Sequence, residues 1–233
     1  AFGVIAAGAV TVGVALLLDR IVYEPMRDKG GIPLLIASIG VALALRYAIV
    51  FVFATNTRGL TNTGAIPSVS IPAIDGTVPL NAHEVTLIVA AVALMFGVHF
   101  LLQRTKLGKA MRAMADNKDL ARVTGIPTER VVRTTWIVGG GLAGIAGFLI
   151  VLERGTLNYN IGWRLLLLIF SGVILGGIGS VYGAIGGGII IGIASRLSLV
   201  WIPSDFARVV AFAVMILVLL YRPSGLFGGV KTA

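Results

Sequence analysis

Long apolar runs alternate with short polar stretches along this chain, and their lengths set the expected elements. Residues 1–18, 32–54, 84–103, 131–152 and 206–221 are each one apolar run. At ~1.5 Å per residue, a helix of about twenty residues crosses a hydrocarbon core of ~30 Å. Residues 165–201 are also apolar but too long for one span. They are read as two helices around the turn Gly176-Gly177-Ile178-Gly179-Ser180. The total is about seven crossings, with a re-entrant helix over 163–180 as the alternative for the first of that pair.

The polar stretches differ in kind. Residues 55–83 hold Thr, Asn, Gly and Pro, and the alternation over 66–72 predicts a hairpin or an extended loop, weakened by its prolines. Residues 104–131 carry their own helical pattern. Ala110, Met111 and Met114 recur on one face of a short helix over 108–115. Asp116 and Asn117 are N-cap types for a second short helix reaching Thr124, which Gly125 and Pro127 stop.

Composition sharpens the class. The 233 residues are 57% hydrophobic and only 12% charged, about half the charge of a soluble domain. The expected fold is an all-α polytopic membrane protein. The net charge of +9 does not point to nucleic acid, because the basic residues fall between apolar runs. Placing the basic stretch 104–133 in the cytoplasm puts thirteen of the 19 Lys and Arg inside and three outside (Arg58, Arg154, Arg164). That asymmetry predicts a first span running inward and a cytoplasmic C-terminus. There is no cysteine, and His83 and His99 stand at opposite ends of one span, so no metal site is expected. The chain begins at Ala1 inside an apolar run with no charged stretch ahead of it. That is not a signal peptide, and further residues are expected in front.

No catalytic triad, carboxylate pair or phosphate-binding G-x-x-x-x-G-K-[ST] loop occurs, so no enzymatic site of its own is expected. Arg46 lies inside the second span, either as a pathway or pairing residue or as a cation snorkelling to the interface beside Tyr47. Small residues recur at close spacing at Gly140, Gly144, Gly147 and neighbours, and four apart along Gly172, Gly176, Ser180, Ala184, Gly188 and Gly192 and along Gly179, Gly183 and Gly187. They read as close helix packing; the competing reading is an unwound segment beside a substrate path. Path candidates are Ser38, Arg46, Ser171, Gly176, Gly177, Gly179 and Ser180. Packing candidates are Gly140, Gly144, Gly147, Gly172, Gly183 and Gly187. Missing intramembrane carboxylates disfavour an ion-coupled secondary transporter or channel. A membrane anchor for a cytoplasmic complex is a third class.

Four segments carry a family resemblance. GKAMRAMADNKDLARVTGIPTERV resembles the cytoplasmic loop of branched-chain amino acid ABC transporter permeases of the LivH type. VILGGIGSVYGAIGGGIIIGIA, LLDRIVYEPMR and YRPSGLFG resemble their glycine-rich segment, an earlier loop and the C-terminal end, in the same order. The resemblance implies a single permease domain over 1–233, in the cytoplasmic (inner) membrane. It implies a paired permease, either related or a second copy, two cytoplasmic ATPase subunits and an external substrate-binding protein. ATP and Mg would sit on the ATPases, with no cofactor on this chain. The implied solute is leucine, isoleucine or valine; related permeases carry urea, amides or other neutral amino acids. Gly144 and Gly147 would then be able to line the contact between paired permeases. The coupling-helix positions carried over are Gly108, Lys109, Met111, Arg112, Ala113, Ala115, Asp116, Asn117, Ala121 and Gly125. Other importers have a Glu-Ala-Ala sequence in this loop. Here Arg112-Ala113-Met114-Ala115 replaces it without the glutamate, so individual contacts do not transfer.

Overall fold

The computed structural model describes residues 2–27, 29–59, 68–73, 76–177, 179–201, 203 and 206–227. Helix α1 (Phe2–Leu18) is apolar apart from Thr11 and continues into a π-helical turn (Asp19–Tyr23) and a 3₁₀ turn (Glu24–Met26). Pro25 sits at the start of that last turn, where a missing N–H costs no helical hydrogen bond. Helix α2 (Gly31–Phe53) follows Gly30, whose φ of +89° lets the chain turn into it, and Pro33 lies in its first turn. Strand β1 (Arg58–Gly59) comes next.

Strands β2 (Ser68–Ala73) and β3 (Gly76–Asn81) form an antiparallel hairpin in register Ser68↔Asn81 to Ala73↔Gly76. Of the two forms left open for 66–72, the hairpin is the one found over 68–81; residues 66 and 67 lie outside the described set. Pro72 and Pro79 are tolerated because each strand of a two-stranded ribbon has an open outer edge.

Helices α3 (Ala82–Arg104), α4 (Lys106–Asp116), α5 (Lys118–Val123) and α6 (Thr128–Arg154) follow, then β4 (Thr156–Leu157), which pairs antiparallel with β1. Asn158 Nδ2 donates to Thr57 Oγ1 at 2.9 Å beside that small ribbon. Helices α7 (Ile161–Gly176), α8 (Val181–Leu197), a 3₁₀ turn (Ser198–Val200) and α9 (Ala207–Tyr221) complete the order.

Five helical stretches among the described residues are long and apolar enough to span a bilayer: Phe2–Met26, Gly31–Phe53, Glu84–Arg104, Thr128–Arg154 and Val181–Val200. Ile161–Gly176 and Val209–Tyr221 are apolar but shorter. The chain is an all-α polytopic membrane protein with two small ribbons.

The chain divides into two compact units, Ala1–Tyr159 and Asn160–Ala233. In the first, α1 and α6 pack antiparallel: Gly3 meets Phe148, Gly8 meets Ile145, and Ala15 meets Gly140. Helix α2 buries no residue, and Phe51 and Ile32 are 92% and 76% exposed. An all-round apolar surface of this kind suits lipid, which is as apolar as a side chain. In the second unit α7, α8 and α9 close on a core of Leu175, Ile191 and Ala211, ringed by Leu168, Val214, Met215 and Val218.

Candidate functional site

The 104–131 loop is built by two caps and one glycine. Thr105 Oγ1 accepts from Gly108 N–H at 3.0 Å and donates to the Leu101 carbonyl at 2.5 Å, so it caps α4 and anchors it to the end of α3. Gly108 is buried, and a Cβ there would fall on the carbonyl oxygens of Leu101 and Leu102. Only glycine allows α4 to turn back so tightly on α3. Arg112 Nη1 adds a bond to Gln103 Oε1 at 3.0 Å.

The exposed face of α4 carries Lys106, Lys109, Arg112, Ala115 and Asp116; Ala110, Met111, Ala113 and Met114 are half-buried. Asn117 Oδ1 accepts from the N–H groups of Asp119 (3.1 Å) and Leu120 (3.0 Å), capping α5. Ala121 is buried. Beyond α5, Gly125 at φ +84° donates to the Arg122 carbonyl and Ile126 N–H to the Ala121 carbonyl. That paired pattern is the glycine-terminated helix end expected there.

Just beyond, an ion cluster joins the foot of α1 to α6. Arg27 Nη2 meets Asp19 Oδ1 at 2.6 Å and its Nη1 meets Glu129 Oε2 at 2.9 Å. Burial acts to lower the Arg27 pKa. The hydrogen bond and charge of Asp19, with the charges of Glu129 and Glu24, outweigh it and raise the pKa above the ordinary arginine value. The guanidinium is therefore charged at every physiological pH. Tyr23 packs on Trp136 with ring centroids 5.0 Å apart, pinning the same two elements again. Sequence reasoning left Asp19, Tyr23, Arg27 and Glu129 in loops. The available signal was a carboxylate directly at the end of an apolar run, which is costly unless a cation meets it.

The path candidates divide between the two units. Ser38 and Arg46 both lie on α2, two helical turns apart. Ser38 Oγ donates to the Leu35 carbonyl of its own helix at 2.7 Å. Arg46 is half-buried, its guanidinium carbon 5.9 Å from the Tyr47 ring and 5.8 Å from that of Tyr159, within cation–π range. Ser171 is fully buried and donates to the Leu167 carbonyl at 2.8 Å.

A groove of about 570 Å³ lies between α1, α2 and α6, lined by Val14, Leu45 and Trp136 among others. Its two hydroxyls, Thr11 and Thr135, both donate to carbonyls of their own helices, so it is an apolar surface.

The small-residue positions fall into three groups. A Cβ on Gly172 would stand 3.0 Å from the Gly188 Cα, and one on Gly176, Gly183 or Gly187 would run into a carbonyl of the facing helix. On α6, a Cβ at Gly140 would be 3.0 Å from the Ala15 Cβ, and one at Gly144 would be 2.7 Å from the Ala7 carbonyl oxygen. Gly147 and Gly179 meet nothing within 4 Å. Gly179 therefore stands outside the ladder with Gly183 and Gly187; its φ of +96° shows that it serves the turn.

That turn is closed by hydrogen bonds. Ser180 Oγ caps α8 by accepting from Gly183 N–H at 3.0 Å. The N–H groups of Leu226 and Phe227 fill the last free carbonyls of α7, at Leu175 (2.8 Å) and Gly176 (3.0 Å). Gly225, at φ +80°, packs on Gly177. Among the described residues, no group of three His, Asp or Glu is placed to hold a metal.

The apolar helices, the capped polar loop and the glycine contacts are the setting for the family comparison. A family model described as branched-chain amino acid transport system / permease component matches residues 1–219. This chain belongs to that permease family. It is 30% identical over 217 residues to the high-affinity branched-chain amino acid transport system permease protein LivH of Escherichia coli K12, covering 91% of this chain and 68% of that protein. It is 29% identical over 214 residues to the corresponding protein BraD of Pseudomonas aeruginosa, covering 91% of this chain and 69% of that one. A probable branched-chain amino acid permease of Methanocaldococcus jannaschii is 35% identical over 144 residues, covering 59% of this chain and 45% of that protein. No solved structure matches.

Proposed function

We propose that this permease is the membrane-spanning subunit of an ATP-driven importer and forms the path for branched-chain amino acids. Residues 1–233 act as one permease domain in the cytoplasmic membrane. It pairs with a related permease or a second copy. Two ATPase subunits bind ATP and Mg on the cytoplasmic side, and an external binding protein delivers the solute. The chain itself hydrolyses nothing and holds no cofactor.

The observation that carries the coupling role is α4, a capped helix that holds its apolar side on the protein and presents Lys109, Arg112, Ala115 and Asp116 to solvent. A short helix of that kind seats in a groove of a partner, with its charges pairing at the rim. Asn117 and Gly125 are exposed beside it, and Gly108 and Ala121 set its geometry from within. Closure of the ATPases would move α4 and α5 as a lever on α3 and α6.

Seven crossings with 104–131 inside put the α7–α8 turn and the C-terminal segment inside as well. Arg46 is assigned to the path near its outer end. The turn from Gly176 to Ser180 is assigned to the inner end of α7 and α8.

Native mass spectrometry of the gently extracted complex tests this reading. Two ATPases with two permeases are expected, and the double substitution Arg112→Glu/Asp116→Lys should lose the ATPases while the chain still inserts. A chain that is alone or only homo-oligomeric would point to a secondary transporter or channel. Binding-protein-dependent uptake of labelled leucine, isoleucine and valine tests the solute.

A further inference from the structure

One arginine side chain joins the foot of the first span to the end of the 104–131 loop. Asp19, which opens the π-helical turn after α1, is 4% exposed and is held by Arg27 at 2.6 Å. The other side of the same guanidinium reaches Glu129, in the first turn of α6, at 2.9 Å. Glu129 lies two residues past Pro127, where the loop closes.

The two halves of this bridge are unlike. Asp19 is buried, so the Arg27–Asp19 pair stabilises the fold: a buried carboxylate without its cation is strongly unfavourable. The Glu129 side chain is 69% exposed, and a pair that open to solvent adds little to stability. Its value lies in geometry. An arginine fork fixes the angle between two carboxylates in a way that a point charge does not. The π-helical turn adds a second feature. Its wider turn interrupts the regular hydrogen-bond ladder, and such turns recur where helices bend in function. The foot of α1 therefore has a place to bend and, immediately beyond it, a charged link to α6.

We propose that Arg27 is a positioning residue that passes displacement of the α4–α5 loop to α1 as well as to α6. Through it the α1–α6 pair moves as one body when the loop is pushed. This rests on the proposed docking of ATPases at that loop. The contacts on α6 support the motion as a body: Gly140 and Gly144 leave α1 no slack, and Tyr23 on Trp136 fixes the pair beside the ion bridge.

The test uses the whole complex in lipid vesicles with its binding protein, measuring both ATP hydrolysed and amino acid taken up. Glu129→Gln leaves the Arg27–Asp19 pair intact and so leaves folding intact. It is expected to keep its ATPases and its hydrolysis while uptake per ATP falls roughly two- to fivefold, the scale of one exposed ion pair. Arg27→Gln should fall further, and Arg27→Lys should recover part of the loss. If Arg27→Gln does not assemble, Glu129→Gln decides alone. A Glu129→Gln complex that retains ATPases and has the wild-type ratio overturns the proposal while leaving docking in place. Absence of ATPases from the wild-type complex overturns docking and this proposal together.

Discussion

Gly176 and Gly179 stand three residues apart and need glycine for unrelated reasons. Gly176 faces Gly183 across the α7–α8 contact so closely that a methyl group would occupy the Gly183 carbonyl. Gly179 has open space around it but a backbone at φ +96°. Gly176→Ala should therefore push two helices apart, at about 1–3 kcal/mol for overpacking. Gly179→Ala should cost roughly 1–2 kcal/mol of backbone strain and leave the helices in place. Thermal unfolding of the purified chain in mild detergent reads the first effect as the larger loss of melting temperature. Equal losses would argue against the close approach. The small-residue spacing was visible in sequence at both positions. Which glycine touches a neighbour was not, because that depends on the phase of a second helix.

At the scale of elements, the loop helices depend on local chemistry. The N-cap of α5 is Asn117, one of the two candidates the sequence offered, and its side-chain oxygen serves two amides that α5 itself leaves unbonded. Asn117→Ala should cost α5 about 1 kcal/mol and raise hydrogen exchange at Asp119 and Leu120 roughly fivefold. Asn117→Asp should leave exchange near wild type. Unchanged exchange in the alanine variant would mean that tertiary contacts, with Ala121 buried beneath, hold α5 without its cap. The end of α5 was equally readable, since Gly125 and Pro127 announce it. The α3–α4 corner was not readable. Gly108 is required there by the backbone of Leu101 and Leu102, and no spacing rule reports a clash between carbonyls and a missing Cβ.

For the whole molecule, the crossing number is directly testable, because the sequence has no cysteine. Single cysteines at Lys109 and Arg222 should react with a membrane-impermeant maleimide only from the inside, and one at Arg154 only from the outside. Seven crossings require Lys109 and Arg222 to share a side. If the Arg222 position is labelled together with Arg154, α7 turns back without crossing and the C-terminus lies outside. Helix α7 has 16 residues, or ~24 Å against a core of ~30 Å, which makes it the helix on which the crossing number turns. In the second unit, the 225–227 segment binds the end of α7, which puts the α7–α8 turn and the segment after α9 at one end.

The sequence by itself determined the class, because runs of apolar residues with 12% charge have no stable place outside a bilayer. It also placed the apolar helices, the polar loop with its Asn117 cap and its Gly125–Pro127 stop, and the family, since all of these are written in local order and spacing. Only the tertiary structure decided which partners meet across the chain. Arg27 is paired with both Asp19 and Glu129, Arg46 lies against Tyr159, and the amides of Leu226 and Phe227 complete α7. Each of these contacts depends on how helices lie beside one another. In a chain this uniformly apolar, many helix faces look alike, so the packing that selects one pairing is set by the fit of surfaces and has no periodic trace in the sequence.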